Sequence, residues 1–306
     1  MQLWLTEPDH WSVEGIRTLE GLGSVGYGPD PDVRTQVLAV RLRTRVTKSL
    51  LDRLPNVRVV VCPTTGVDHI DTGELERRNI DLIALTGERD VLDTIPSTAE
   101  HTFALILASY RHIVRNHMTT TRSGTWSRPV RGSTLAGKTI GIVGYGRVGQ
   151  MVHDRCEAFG MTVLIHDPFK AVGVLFRVED LAELAAEVDI LTLHVPLNAK
   201  TRGMVGTKVI AKMKKGALLV NTSRGALIDE EALHWALCTD RIYAAIDVLA
   251  DEYSDMQTHP LVNYARTHDN LLITPHIGGN THESVRTADE FILSKLKGWI
   301  IDHATI

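Results

Sequence analysis

The chain has 306 residues, 43% hydrophobic and 23% charged, with a formal net charge of −4. That length admits two domains of ordinary size, and the composition is that of a globular protein. The weak acidity excludes the electrostatic footprint of a nucleic-acid binder, and no apolar run approaches the ~20 residues that span a bilayer.

The opening residues, Met1–His10, lack the basic and apolar regions of a secretory signal. The three cysteines, Cys62, Cys156 and Cys238, are widely spaced with no CxxC. Neither a disulfide framework nor a metal site is therefore expected, and a reducing cytoplasm fits.

Apolar runs alternate with helical patterns nearly throughout, which predicts parallel α/β architecture. Strands are expected at Leu3–Leu5, Val37–Val40, Val57–Val61 and Leu82–Ala84, and helices at Ser12–Leu22, Lys48–Leu54 and Thr72–Arg78. Arg41, Arg43 and Arg45 alternate at a predicted strand end and read as a solvated charged edge. A long helix follows from Ser97 to Thr121, with Ala99, Phe103, Ile106, Leu107, Tyr110, Ile113 and Val114 as its apolar stripe. Ser97 and Glu100 suit a capping box. The irregular stretch Arg122–Ala136 is too long for a simple connector and is expected to pack on something.

The segment from Thr139 to Asp167 carries the strongest signal. An apolar run, Thr139–Val143, enters a turn in which Gly144, Gly146 and Gly149 supply G-x-G-x-x-G, and a second run, Met161–His166, ends at Asp167. Gly144 permits a tight turn, Gly146 lets a pyrophosphate approach the backbone, and Gly149 lets the helix pack on the strand. Val148, Met151, Val152, Cys156 and Phe159 recur at helical spacing, and Gly160 suits a helix end. The phosphates would meet free N–H groups at the helix N-terminus. Asp167 can accept bonds from both ribose hydroxyls and would repel a 2′-phosphate, which favours NAD over NADP; Lys170 weakens that preference. A Rossmann-like domain for another nucleotide, such as an S-adenosyl compound, is the alternative.

Further strands are expected at Asp189–His194, Ala217–Asn221, Tyr243–Val248 and Leu271–Thr274, making six with the first two, and helices at Val178–Ala186 and Glu230–Leu237. The apolar spacing of Glu283–Ile301 predicts a helix that returns to the first domain. The expected fold is thus two Rossmann-like or flavodoxin-like parallel-sheet domains with a cleft between them. Residues 1–97 plus 278–306 would form a discontinuous substrate-binding domain, residues 98–277 the dinucleotide domain, and crossings near Ser97 and Ile277 the hinge.

Ligands of open α/β sheets bind beyond the carboxyl ends of the strands. There the sequence places Arg224 after Asn221, Glu252 after the strand from Tyr243, and His276 after Thr274. Reduction of a 2-keto acid needs a proton donor at the carbonyl oxygen, which histidine supplies. A carboxylate on the far ring nitrogen orients the imidazole. A planar guanidinium can hold the substrate carboxylate through two hydrogen bonds and polarise the carbonyl.

At these residues the chain resembles the D-isomer-specific 2-hydroxyacid dehydrogenases. The motifs that carry the resemblance are Gly141–Gly149, His194-Val195-Pro196-Leu197, Met213-Lys214-Lys215-Gly216, Asn221-Thr222-Ser223-Arg224-Gly225, Asp247 through Glu252, and Thr274-Pro275-His276-Ile277. The resemblance implies Arg224 as the substrate clamp and His276 as general acid or base, paired with Glu252. It implies cofactor contacts from Arg147, Val148, Asp167, His194, Pro196, Thr222, Asp247 and Gly279, and a substrate-carboxylate loop at Thr65-Gly66. It also implies a homodimer with an arm at Arg122–Ala136 and a small 2-hydroxy or 2-keto acid substrate; no regulatory domain is expected after Ile306.

Arg41 matches a substrate-phosphate ligand of the D-3-phosphoglycerate dehydrogenases. Tyr253 stands where the family often has proline, and Cys62-Pro63-Thr64-Thr65 replaces its commoner run of small residues. An NADH-sensing corepressor, or a relative acting on formate or phosphite, would share the cofactor residues.

Overall fold

The computed structural model describes residues 1–303 apart from 125, 127–129 and 171–176. The chain divides into two compact units, Met1–Ile95 with Asn280–Ile306, and Pro96–Gly279.

The first unit is built on strands β1 (Gln2–Leu5), β2 (Ser24–Tyr27), β3 (Val37–Ala39), β4 (Val59–Cys62) and β5 (Asp81–Ala84). All pair in parallel, in the order β2-β1-β3-β4-β5, the flavodoxin-like arrangement. β4 is buried at every position, as expected of a central parallel strand covered on both faces. The helix His282–His303 belongs to this unit, where Ile292, Leu293 and Leu296 join Leu3, Leu5, Val59 and Val61 in one core. The edge strand β2 has no apolar run to announce it. A Cβ on its Gly26 would lie 2.2 Å from the Trp4 ring, so the glycine is there to admit that ring.

The expected solvated edge of arginines holds for Arg43 and Arg45, which are exposed, but not for Arg41. β3 ends at Ala39, and Arg41, Arg43 and Arg45 lie in the loop beyond it. The Arg41 guanidinium pairs with the fully buried Asp289 and stacks 5.2 Å from the centroid of Trp11. Arg43 pairs with Asp9 at 3.1 Å. The Glu7 carboxylate accepts the N–H groups of Arg41, Arg43 and Thr44, and these bonds pull the chain out of strand geometry.

The second unit has six parallel strands: β6 (Thr139–Val143), β7 (Thr162–His166), β8 (Ile190–Leu193), β9 (Leu218–Asn221), β10 (Tyr243–Ile246) and β11 (Leu271–Ile273). Their order is β11-β10-β9-β8-β6-β7, reversing direction between β6 and β8. Arg177 adds a parallel bridge to Ile165 on the outer side of β7. β8 and β9 are buried at all positions, so the carboxyl ends of the central strands are rigidly held.

The helix expected over Ser97–Thr121 is two helices, Ser97–Tyr110 and Ile113–Ser123, divided at His112 with φ 48°. Ile113 and Val114 therefore leave the apolar stripe and are 52% and 48% exposed. The capping box is not made: Pro96 is the N-cap residue, and the Ser97 hydroxyl is buried without a partner. Phe159 is also half-exposed, though its ring meets Phe103 edge-on at 4.7 Å. Within the expected arm, residues 125 and 127–129 lie outside the described residues. No helix among the described residues is long and apolar enough to cross a membrane.

Candidate active site

The glycine turn is tightly built on two sides and open on the third. Gly144 has φ 91° and donates its N–H to the His166 carbonyl at 2.9 Å, and a Cβ there would approach the His194 carbonyl to 2.6 Å. A Cβ on Gly149 would come within 2.2 Å of the Gly144 carbonyl, so this glycine seats the helix Arg147–Ala158 against the turn. Gly146 differs: nothing lies within 4 Å of where its Cβ would be. Gly146 is also the N-cap position, and no side chain caps the helix. A space free of protein thus faces uncapped backbone N–H groups at the positive end of the helix dipole, as a pyrophosphate requires. Val148 packs partly buried against the core behind, and Arg147 opens the helix.

Asp167 follows β7 and ties the turn to its own loop. It accepts the N–H of Tyr145 at 2.8 Å through Oδ2, and those of Phe169 and Lys170 at 2.9 and 3.1 Å through Oδ1. A carboxylate has about four acceptor sites, so capacity remains for a ribose hydroxyl. The residues present fit a dinucleotide.

His194 ends β8, its N–H donated to the Val143 carbonyl at 2.7 Å. Its Nε2 lies 3.0 Å from Thr192 Oγ1 and its Nδ1 is buried without a partner. Burial pushes this imidazole down to about 3, so the ring is neutral. Pro196 stands exposed just beyond. Thr222, buried after β9, has its hydroxyl 2.8 Å from that of Thr102.

The carboxyl ends of β9, β10 and β11 carry the other group. After β9, Asn221 folds the chain back: its Nδ2 donates to the Arg224 carbonyl at 2.8 Å and its Oδ1 accepts from the Ser223 N–H at 3.0 Å. The Ser223 hydroxyl donates to the Leu193 carbonyl at 2.7 Å. A Cβ on Gly225 would fall 1.9 Å from the Leu249 carbonyl carbon, so the loop bearing Arg224 lies directly on the loop that leads to Glu252. The Arg224 guanidinium bonds the Ser223 carbonyl at 2.8 Å. Ala250 donates its N–H to Glu230 at 2.7 Å, which pins the start of the Glu252 loop. Glu252 then reaches His276, with Oε2 2.6 Å from Nδ1; the two side chains are 19% and 22% exposed. Tyr253 in place of the family's proline does not remove this contact.

Asp247, 1% exposed, organises the third loop. It accepts the Thr274 hydroxyl at 2.6 Å and the N–H groups of Ile277 and Gly278 at 2.9 and 2.7 Å, while its carbonyl accepts the His276 N–H at 2.8 Å. Burial acts to raise its pKa, but the hydrogen bonds from His101, Thr274, Ile277 and Gly278 outweigh it and hold the carboxyl below its ordinary value. His276 is thereby kept at φ 54°, a left-handed conformation rare for a residue with a Cβ. Gly279 follows, with nothing within 4 Å of its Cβ direction.

Glu252, His276 and Asp247 therefore come together on neighbouring strand ends, with Arg224 on the loop after the adjacent strand β9. Thr65 and Gly66 lie in the first unit, past the end of β4, with the Thr65 carbonyl accepting from Thr86 at 2.6 Å. Near them the Cys62 thiol is buried 3.0 Å from the Thr64 hydroxyl, and burial pushes it up to about 11, so it is a packing residue and not a nucleophile. The residue that sequence reasoning missed is His101, whose Nε2 lies 3.2 Å from Asp247 Oδ1. Its only signal was a titratable side chain one turn into an apolar helix.

The model of the D-isomer-specific 2-hydroxyacid dehydrogenase NAD-binding domain matches residues 103–278, more than half of the chain. The chain belongs to this family. It is 34% identical to a D-3-phosphoglycerate dehydrogenase of Methanocaldococcus jannaschii over 97% of its own length and 57% of that protein's. It is 36% identical to a hydroxypyruvate reductase of Thermotoga maritima over 85% of this chain and 83% of the relative. A D-lactate dehydrogenase from Aquifex aeolicus, solved with NAD and lactic acid, superposes with a TM-score of 0.86 at 25% identity, covering 100% of this chain and 97% of that one. The chain spans about half the length of the D-3-phosphoglycerate dehydrogenases it matches. The glycine turn, Asp167, Asp247 and His276 all fall within this NAD-binding domain of the 2-hydroxyacid dehydrogenase family.

Proposed function

We propose that this family member is an NAD-dependent dehydrogenase interconverting a D-2-hydroxy acid and its 2-keto acid. The observation that carries the reading is the 2.6 Å contact between His276 and Glu252, beyond the carboxyl ends of β11 and β10, at the same edge of the parallel sheet as the intact dinucleotide turn after β6. Bound NADH supplies the hydride. Gly144, Gly146, Arg147, Val148 and Gly149 would hold the pyrophosphate and Asp167 the adenosine ribose; His194, Pro196, Thr222, Asp247 and Gly279 would line the rest of the cofactor.

Glu252 takes up Nδ1 of His276, which leaves Nε2 to carry the proton in catalysis. In reduction, Nε2 gives its proton to the carbonyl oxygen, and the Glu252 carboxylate stabilises the imidazolium that precedes transfer. In oxidation, the neutral ring takes the proton from the hydroxyl. Arg224 binds the substrate carboxylate and draws charge from the carbonyl.

Arg41, matched above to a phosphate ligand, already has its guanidinium engaged by Asp289. This favours an unphosphorylated substrate. The Asp167 carboxylate favours NAD over NADP, because a 2′-phosphate would meet a like charge. Half-exposed Ile113 and Val114, with Trp126 97% exposed, support a homodimer. Three unpaired cysteines support a cytoplasmic enzyme.

The test is NADH oxidation, followed by absorbance, across short, long and phosphorylated 2-keto acids. Turnover of at least one short unphosphorylated 2-keto acid is expected. Tight NADH binding without turnover of any acid would overturn the reading.

A further inference from the structure

We propose that His101 is a positioning residue for His276, acting through the carboxylate of Asp247. The proposal rests on the reading of His276 as the proton donor and acceptor. It adds a residue from a distant helix to the machinery.

The bonding order fixes what His101 does. The Thr274 hydroxyl has one hydrogen, and at 2.6 Å it gives that hydrogen to Asp247 Oδ1. His101 Nε2 lies 3.0 Å from the same hydroxyl oxygen and 3.2 Å from Oδ1, so it must donate to both acceptors. The ring also lies against the backbone of the next loop, with its Cδ2 3.6 Å from the Cβ direction of Gly278. Asp247 in turn holds the N–H groups of Ile277 and Gly278, the two residues that follow His276.

His276 itself sits at φ 54°. A side chain in the left-handed region is disfavoured, and such a residue persists only where its surroundings over-determine it. Asp247 supplies most of that constraint. With the carboxylate 1% exposed, no water can take the place of a lost donor without rearrangement. Removing the His101 N–H therefore leaves a buried anion short of one charge-stabilising bond. It can then turn away from the Ile277 and Gly278 amides. The imidazole of His276 would lose its fixed distance to the reacting oxygen, with binding of substrate or cofactor elsewhere little changed.

The experiment compares His101→Leu, His101→Asn and His101→Gln in the full chain. The Gln amide can reach Asp247 and donate; Leu cannot donate and Asn is too short to reach. Expected is a fall in kcat of about 10- to 100-fold for Leu and Asn, since a misplacement near 1 Å carries that cost. KM for the keto acid should stay within about threefold, with His101→Gln close to the parent. Equal loss in all three variants, or kcat unchanged in Leu and Asn, would overturn the proposal. If His101→Leu does not fold, His101→Asn carries the comparison. If the parent protein turns over no 2-keto acid, the dehydrogenase reading has failed separately. The positioning claim is then read from the His276 Cε1 resonance of 13C-histidine-labelled protein. A shifted signal in His101→Asn but not His101→Gln supports it, and any other pattern refutes it.

Discussion

Nδ1 of His276 and Oε2 of Glu252 lie 2.6 Å apart across 24 residues of sequence. Gly225 against the Leu249 carbonyl and Glu230 on the Ala250 N–H hold the Glu252 loop, while Asp247 holds the His276 loop through the N–H groups of Ile277 and Gly278. The contact sets both the tautomer of the imidazole and the direction of its free nitrogen. Glu252→Gln keeps the shape but removes the charge and can present an N–H in place of an acceptor. It should lower kcat for keto-acid reduction by about 100-fold, a common worth of an oriented acid–base group, with NADH affinity retained. Steady-state kinetics beside a fluorescence titration of NADH would check this.

Gly146 and Gly225 should respond differently to the same methyl group. The Cβ of Gly146→Ala enters open space, so the melting midpoint should hardly move, while NADH binding weakens by at least about tenfold as the methyl meets the pyrophosphate. Gly225→Ala drives a carbon into the Leu249 backbone and should cost about 1–3 kcal/mol or more in denaturant unfolding. Unchanged NADH affinity in the first variant would count against the assigned phosphate cradle.

Asp247→Asn tests the buried carboxylate through pH. The folded-state pKa of Asp247 lies below its ordinary value, so the unfolded chain binds a proton more readily than the native one. Its contribution to stability is thus present above the ordinary aspartate range and is lost as pH falls through the depressed folded value. The amide would also set N–H against N–H at Ile277 or Gly278. A loss of about 2–4 kcal/mol at neutral pH is expected, the gap to the parent narrowing in acid. A gap independent of pH down to the acid transition would show that the charge contributes nothing.

Arg224→Lys replaces a planar fork by a point charge. If Arg224 grips the carboxylate in a bidentate manner, kcat/KM should drop by about 100-fold or more while NADH binding persists. Asp167→Ala, separately, should narrow the gap between NAD and NADP. A parent enzyme that already prefers NADP would remove the ground for that assignment.

Much of this was legible in the sequence because it is local. The run Thr139–Val143, the three glycines and Asp167 sit within one strand-turn-helix-strand unit, and each residue type answers a nearby backbone need. The buried parallel strands announced themselves as continuous apolar runs. Edge strand β2 did not, because Gly26 serves the Trp4 ring and leaves no alternation to read. The break at His112 carried no glycine or proline to mark it. Arg41 was misread as solvated because its partner, Asp289, lies 248 residues away. His101 was missed for the same reason: only the fold brings Asp247 to it.

The central claim is that His276 moves the proton and does not merely support the fold. It is tested most directly by measuring keto-acid reduction and NADH affinity together in His276→Ala. We expect turnover to be lost while NADH still binds within about threefold of the parent. Appreciable turnover in the variant, or parallel loss of cofactor binding and folding, would contradict the account.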